Sequence, residues 1–94
     1  MSLNVFLSDV LRQYAVTMAI VVIGEAATRL IREAPELALA YPNVPWQRMR
    51  NMRNRLAHSY FETDFERLWD TVKESIPRLI EQLSAIKAKD SAAP

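Results

Sequence analysis

Apolar residues recur at helical spacing along three stretches of this 94-residue chain. The first begins at Ser8-Asp9, which reads as a helix start, and LRQYAVTMAIVVIGEAATRLIRE then runs to Glu33 without a proline. Leu11, Tyr14, Ala15, Met18, Val21, Val22 and Ala26 follow the helical repeat. The middle of this segment is apolar nearly all round, which places it at the centre of a bundle or in a subunit interface. Gly24 inside it costs about 1 kcal/mol relative to Ala, and a close helix crossing there would justify it. Glu25 is either an outward-facing charge or a buried partner of an arginine, and its apolar neighbours favour the second. Pro35, Pro42 and Pro45 punctuate a connector that holds one short helical turn after Pro35. Pro45-Trp46 reads as the entry of a second helix ending at His58 or Tyr60. Thr63, with Glu66 three residues on, predicts the N-cap of the last helix. That helix carries Phe65, Leu68, Trp69, Val72, Ile76, Leu79, Ile80, Leu83 and Ile86 on one stripe, and Pro77 should kink it or split it near Ser75.

These elements predict an all-α, antiparallel helical bundle forming one domain over residues 1–94, with a frayed tail over 84–94. Three unequal helices make a thin bundle, so a second copy is expected to complete the core. Trp46, Trp69 and Met18 are expected in that core rather than against a ligand.

Composition narrows the chemistry. There is no cysteine, which excludes a disulfide scaffold, a thiol nucleophile and thiolate zinc sites, and fits a reducing, cytoplasmic setting. One histidine and scattered carboxylates offer no dedicated metal site, and no cofactor is expected. The longest apolar run, Ala15 to Ile23, is shorter than the roughly 20 residues a bilayer span needs, so no membrane association is expected. The net charge is only +1, yet Arg48, Arg50, Arg53 and Arg55 lie between Trp46 and His58 with no acid among them. A basic concentration on a near-neutral chain points to an anionic partner there. For Arg48 and Arg55 a solvated helical face is the favoured reading.

The single histidine closes this basic helix, in RNRLAHSY, residues 53 to 60. Residues four apart share a helical face, so Arg50, Asn54 and His58 fall on one line, with Arg53 about 140° around from His58. This inventory suits metal-free RNA cleavage. An imidazole can move the proton of an attacking 2′-hydroxyl, and a guanidinium can stabilise the phosphorane. Acid and base roles need two such groups, and a symmetric dimer would supply them. The competing structural reading has His58 only closing a helix C-terminus, where its cation meets the dipole favourably. Spacing alone leaves that reading ahead.

The wider stretch shifts the balance. IVVIGEAATRLI (20 to 31) and PNVPWQRMRNMRNRLAHSYFETDFERLWDTVKESIPRLIEQL (42 to 83) resemble the HepT-like branch of the HEPN superfamily. The resemblance rests on IGEA, on Pro45-Trp46, on MRNRLAHSYF, on Trp69 and on Ile76-Pro77. It implies a dimeric helical bundle in which paired Arg–polar–His motifs cleave RNA without metal. That signature maps onto Arg53, Asn54 and His58 as catalytic residues, with Arg50 adding affinity for RNA phosphate. It also implies a toxin whose partner is a small nucleotidyltransferase antitoxin, and Tyr60 as the residue that partner modifies with AMP. Family members usually carry a further N-terminal helix before the segment matching Phe6 onward, and this sequence starts almost at that segment. The alternative reading is a non-catalytic helical dimer that binds a nucleotidyltransferase or a nucleotide through the same arginines.

Overall fold

The computed structural model describes residues 1–92, with side chains placed through residue 88. All regular structure among the described residues is helical: α1 (Leu3–Ser8), α2 (Val10–Glu33), α3 (Pro35–Ala40), α4 (Trp46–His58), a 3-10 turn (Tyr60–Glu62), α5 (Phe65–Asp70), a π turn (Thr71–Ser75) and α6 (Ile76–Ala92). Helix α6 thus runs on through most of the expected frayed tail, whose last two residues lie outside the described residues.

Helix α1 precedes the start expected at Ser8-Asp9. Ser2 caps it by accepting from the Val5 N–H, and its purpose is Phe6, the most deeply buried large side chain described. The Phe6 ring meets Phe65 edge-on at 6.3 Å and Trp69 at 5.5 Å. The buried Gln13 amide donates to the Phe6 and Leu7 carbonyls at 3.0 and 3.1 Å, which satisfies orphan acceptors at the end of α1 and folds it back on α2.

Helix α2 starts where its cap predicts, with Asp9 accepting from the Arg12 N–H at 3.1 Å, and it stops before Pro35. Its buried side is Gln13, Thr17, Ile20, Gly24 and Ala27. The stripe Leu11, Tyr14, Met18 and Val22 turns outward, with exposures of 79, 54, 62 and 59 %. The expectation that Met18 is core is therefore corrected for the single chain. A helix apolar on several sides does not announce which side its neighbour takes. Gly24 decides, because only there can another backbone approach closely. By length and composition alone α2 is apolar enough to cross a bilayer, with a mean hydropathy of 1.6 over its best window. In this fold it instead lies along α4. The contacts Tyr14–Tyr60 and Glu25–Arg53 show that the two run antiparallel.

The connector behaves as read, with one short helix after Pro35 and Val44 buried beneath it. Trp46 is half-buried and donates its indole N–H to the Tyr41 carbonyl at 3.0 Å. The last helix departs from its predicted cap. Asp64, not Thr63, accepts from the backbone N–H groups of Glu66 and Arg67, at 3.0 and 3.2 Å. A carboxylate accepts two N–H groups and complements the helix dipole better than a hydroxyl. Pro77 acts at the predicted place. It has no N–H to donate, and its ring would strike the Lys73 carbonyl in a regular α turn. The chain widens into a π turn just before it, with Ile76 N–H donating to Thr71 O.

Beyond that turn α6 continues the same helix and makes few close backbone approaches to α2 or α4. Gln82 ties it to the connector by donating to the Asn43 carbonyl at 2.7 Å. An apolar hollow of about 480 Å³ remains between α6 and the α2–α4 pair, lined by residues such as Ile23, Leu30, Met49, Leu79, Ile80 and Leu83. The chain is elongated as a result. Its radius of gyration is 14.8 Å, against roughly 12 Å for a compact domain of this length. The core cluster is small: Phe6, Ile20, Leu56 and Leu68, with Val16, Met52 and Trp69 packed against it.

Candidate active site

The α2–α4 crossing fixes one arginine from two directions. A Cβ at Gly24 would clash with the Arg53 Cβ and come within 2.6 Å of the Met49 carbonyl oxygen, so the glycine seats α4 directly against α2. The next residue, Glu25, reaches the far end of the same side chain, with its Oε2 3.2 Å from Arg53 Nη2. Arg53 Nη1 donates to Asn54 Oδ1 at 3.0 Å. Arg53 Nε is buried without a partner. The arginine partner expected for Glu25 is Arg53, but the pair is not buried as expected, with side-chain exposures of 47 and 33 %.

His58 is the last residue of α4 and exposed, and its imidazole makes no hydrogen bond or ion pair among the described residues. With Arg55 it supplies the basic last turn that a helix dipole favours. Five residues of helix separate it from Arg53, roughly 7.5 Å along the axis and about 140° around it. Arg53 and Asn54 are thus joined, while His58 is not joined to either within one chain. Arg50 is half-buried one turn before Asn54.

Tyr60 follows in the 3-10 turn, half-buried, its ring 5.8 Å from Tyr14, 5.8 Å from Phe61 and 6.1 Å from Phe65. Burial, and secondarily the neighbouring Tyr14, push its phenol above the usual tyrosine range. Tyr14 and Glu25 lie on the flank of α2 that also carries Leu11, Met18 and Val22, at about 100° per residue. Arg53, Asn54 and Tyr60 therefore border the exposed apolar strip of α2. Tyr14 was not anticipated beside the site. Its only sequence signal is its place on the same stripe as Met18.

The ribonuclease HepT-like family profile matches residues 1–86, over and around these side chains. The chain belongs to this family. It is 43 % identical over 74 residues to a Thermococcus cleftensis protein named "Probable ribonuclease HepT", a match covering 79 % of this HepT-like chain and 64 % of that one. It is 36 % identical over 83 residues to a Methanocaldococcus jannaschii protein provisionally named an RNase, covering 88 % of this chain and 73 % of that one. This HepT-like chain thus spans about two thirds of the length of these relatives. No solved structure matches it.

Proposed function

We propose that this HepT-like protein is a metal-independent endoribonuclease that acts as a homodimer. The observation that carries the reading is the placement of a two-point-anchored Arg53 beside an exposed apolar strip, with an unengaged His58 at the end of the same helix. The strip of Leu11, Tyr14, Met18 and Val22 is the surface a second copy would cover, and doing so would bring two Arg53–His58 sets face to face.

In such a cleft the 2′-hydroxyl of RNA attacks its own phosphorus while the bond to the 5′-oxygen breaks. One His58 takes the hydroxyl proton, and the partner copy's imidazole, in its cationic form, protonates the leaving oxygen. Arg53 carries the charge of the phosphorane on its planar donors. Asn54, bonded to Arg53, orients it, and Arg50 adds phosphate affinity. The products are a 2′,3′-cyclic phosphate and a 5′-hydroxyl. In this reading the protein is a cytoplasmic toxin restrained by a nucleotidyltransferase antitoxin. AMP placed on Tyr60 would set anionic phosphate beside the cleft and repel the substrate.

A second reading draws support from the same geometry. Both terminal nitrogens of Arg53 are already engaged within the chain. A non-catalytic dimer that docks a nucleotidyltransferase or a nucleotide would leave them so. Incubating mixed RNA with the native chain and with His58→Ala, chelator present, separates the two. Cyclic-phosphate products from the native chain alone are the expected result. Cleavage surviving in the variant, or no cleavage by a folded dimer, rejects the nuclease.

A further inference from the structure

The residue after Tyr60 has no role in the fold. Phe61 is fully exposed, at 100 %, and touches the rest of the chain through an edge contact with Tyr60 at 73°. Burying a phenylalanine side chain stabilises a fold, and here that contribution is absent. Its ring nevertheless joins a line of edge contacts, Phe61 on Tyr60, Tyr60 on Phe65, and Phe65 on Phe6 in the core at 6.3 Å. A ladder of rings thus runs from the centre of the molecule to a free aromatic face three residues beyond His58.

We infer that Phe61 is a stacking platform for a nucleobase of single-stranded RNA, next to the phosphate that is cut. The inference rests on the nuclease reading above and names how the substrate is gripped. Unstacked bases of single-stranded RNA lie on exposed aromatic rings, and this contact tolerates any base because each has a π-face. Arg53 and Arg55 lie in the last two turns of α4 and His58 ends it. A phosphate held there places its own base within reach of the turn that carries Phe61. Phe61 is a substrate-positioning residue in this account and moves no proton.

The test measures binding of a short single-stranded RNA to the His58→Ala protein, which cannot turn it over, with and without Phe61→Ala. The RNA is used intact and with one abasic nucleotide at each position in turn. Losing one base stack weakens binding about 5- to 150-fold. Phe61→Ala should do so on intact RNA and should lose its effect when the abasic site falls where the stacked base would lie. Phe61→Trp should bind close to the native level, with indole fluorescence quenched by RNA. In the cleaving protein Phe61→Ala should raise KM more than it lowers kcat.

Unchanged affinity in Phe61→Ala overturns the inference, as does a loss equally large at every abasic position. So does a variant whose mass by light scattering falls to that of one chain, because Phe61 would then belong to a contact between copies. If the native chain binds RNA with the Phe61 signature yet never cleaves it, the nuclease reading fails and the platform stands. If it cleaves and the Phe61 variants bind alike, only the platform fails. A native chain that neither binds nor cleaves RNA removes both.

Discussion

Replacing Gly24 with Ala places one methyl group where the structure has no room. The new carbon would overlap the Arg53 Cβ and sit 2.6 Å from the Met49 carbonyl oxygen and 3.0 Å from Arg53 Cγ. Two of these neighbours are fixed by the α4 backbone, so a rotamer change does not relieve the clash. Reaching ordinary contact with the Met49 oxygen alone requires α2 and α4 to separate by about 0.8 Å. Overpacking of this kind costs about 1–3 kcal/mol, and the upper part of that range applies because the obstacle is backbone. The better helix propensity of Ala returns about 1 kcal/mol. The net loss is then about 1–2 kcal/mol, or roughly 4–16 °C in melting temperature for a domain of this size. Urea and thermal unfolding followed by circular dichroism measure it. Glu25→Gln is the companion variant, since it removes a partly exposed ion pair worth about 0.2–1 kcal/mol without adding volume. A Gly24→Ala protein that melts at or above the native temperature, while Glu25→Gln melts lower, would refute the close crossing and with it the seat of Arg53.

The caps give a paired prediction. Asp64→Ala should cost about 1 kcal/mol, because two N–H groups lose their acceptor. Thr63→Val should be neutral or slightly stabilising, since the Thr63 hydroxyl is buried without a partner. The reverse order of melting temperatures would restore Thr63 as the cap. Tyr60 should ionise above the ordinary value of 10.0. The neutral phenol is favoured in the fold, so its contribution to stability is complete below the unfolded value and is lost as pH rises through the folded one. Ultraviolet titration of tyrosinate should show this late phase, and Tyr14→Phe should lower it only in part, because burial is the larger cause. A Tyr60 that titrates with the exposed tyrosines would contradict the packing described.

The ends of α2, the turn after Pro35, the entry at Trp46 and the break before Pro77 were legible because each depends on a local rule. Asp9 caps, proline stops or opens, and a ring displaces a carbonyl. The direction in which α2 faces was not legible. Several of its sides are apolar, and the deciding term is a backbone approach at Gly24 that depends on α4. Helix α1 escaped notice because six residues carry too little periodicity, and Phe6 matters only through Phe65 and Trp69, about sixty residues away. At the site, Glu25 could be paired with an arginine from its apolar surroundings. Its partial exposure depends on how α4 lies against α2, which no spacing in α2 encodes. That Arg53 and His58 share one regular helix was legible from the sequence.

The ring ladder makes the short segment around Phe6 a control point for a site distant in sequence. Phe6 lies on a six-residue helix held by a serine cap and one glutamine amide. Through Phe65 it sets the place of Tyr60, more than fifty positions downstream. A protease clip in this segment, or replacement of Phe6 by Ala, would unseat the bottom rung. The His58 helix would stay intact in sequence while the aromatic face beside it lost its footing.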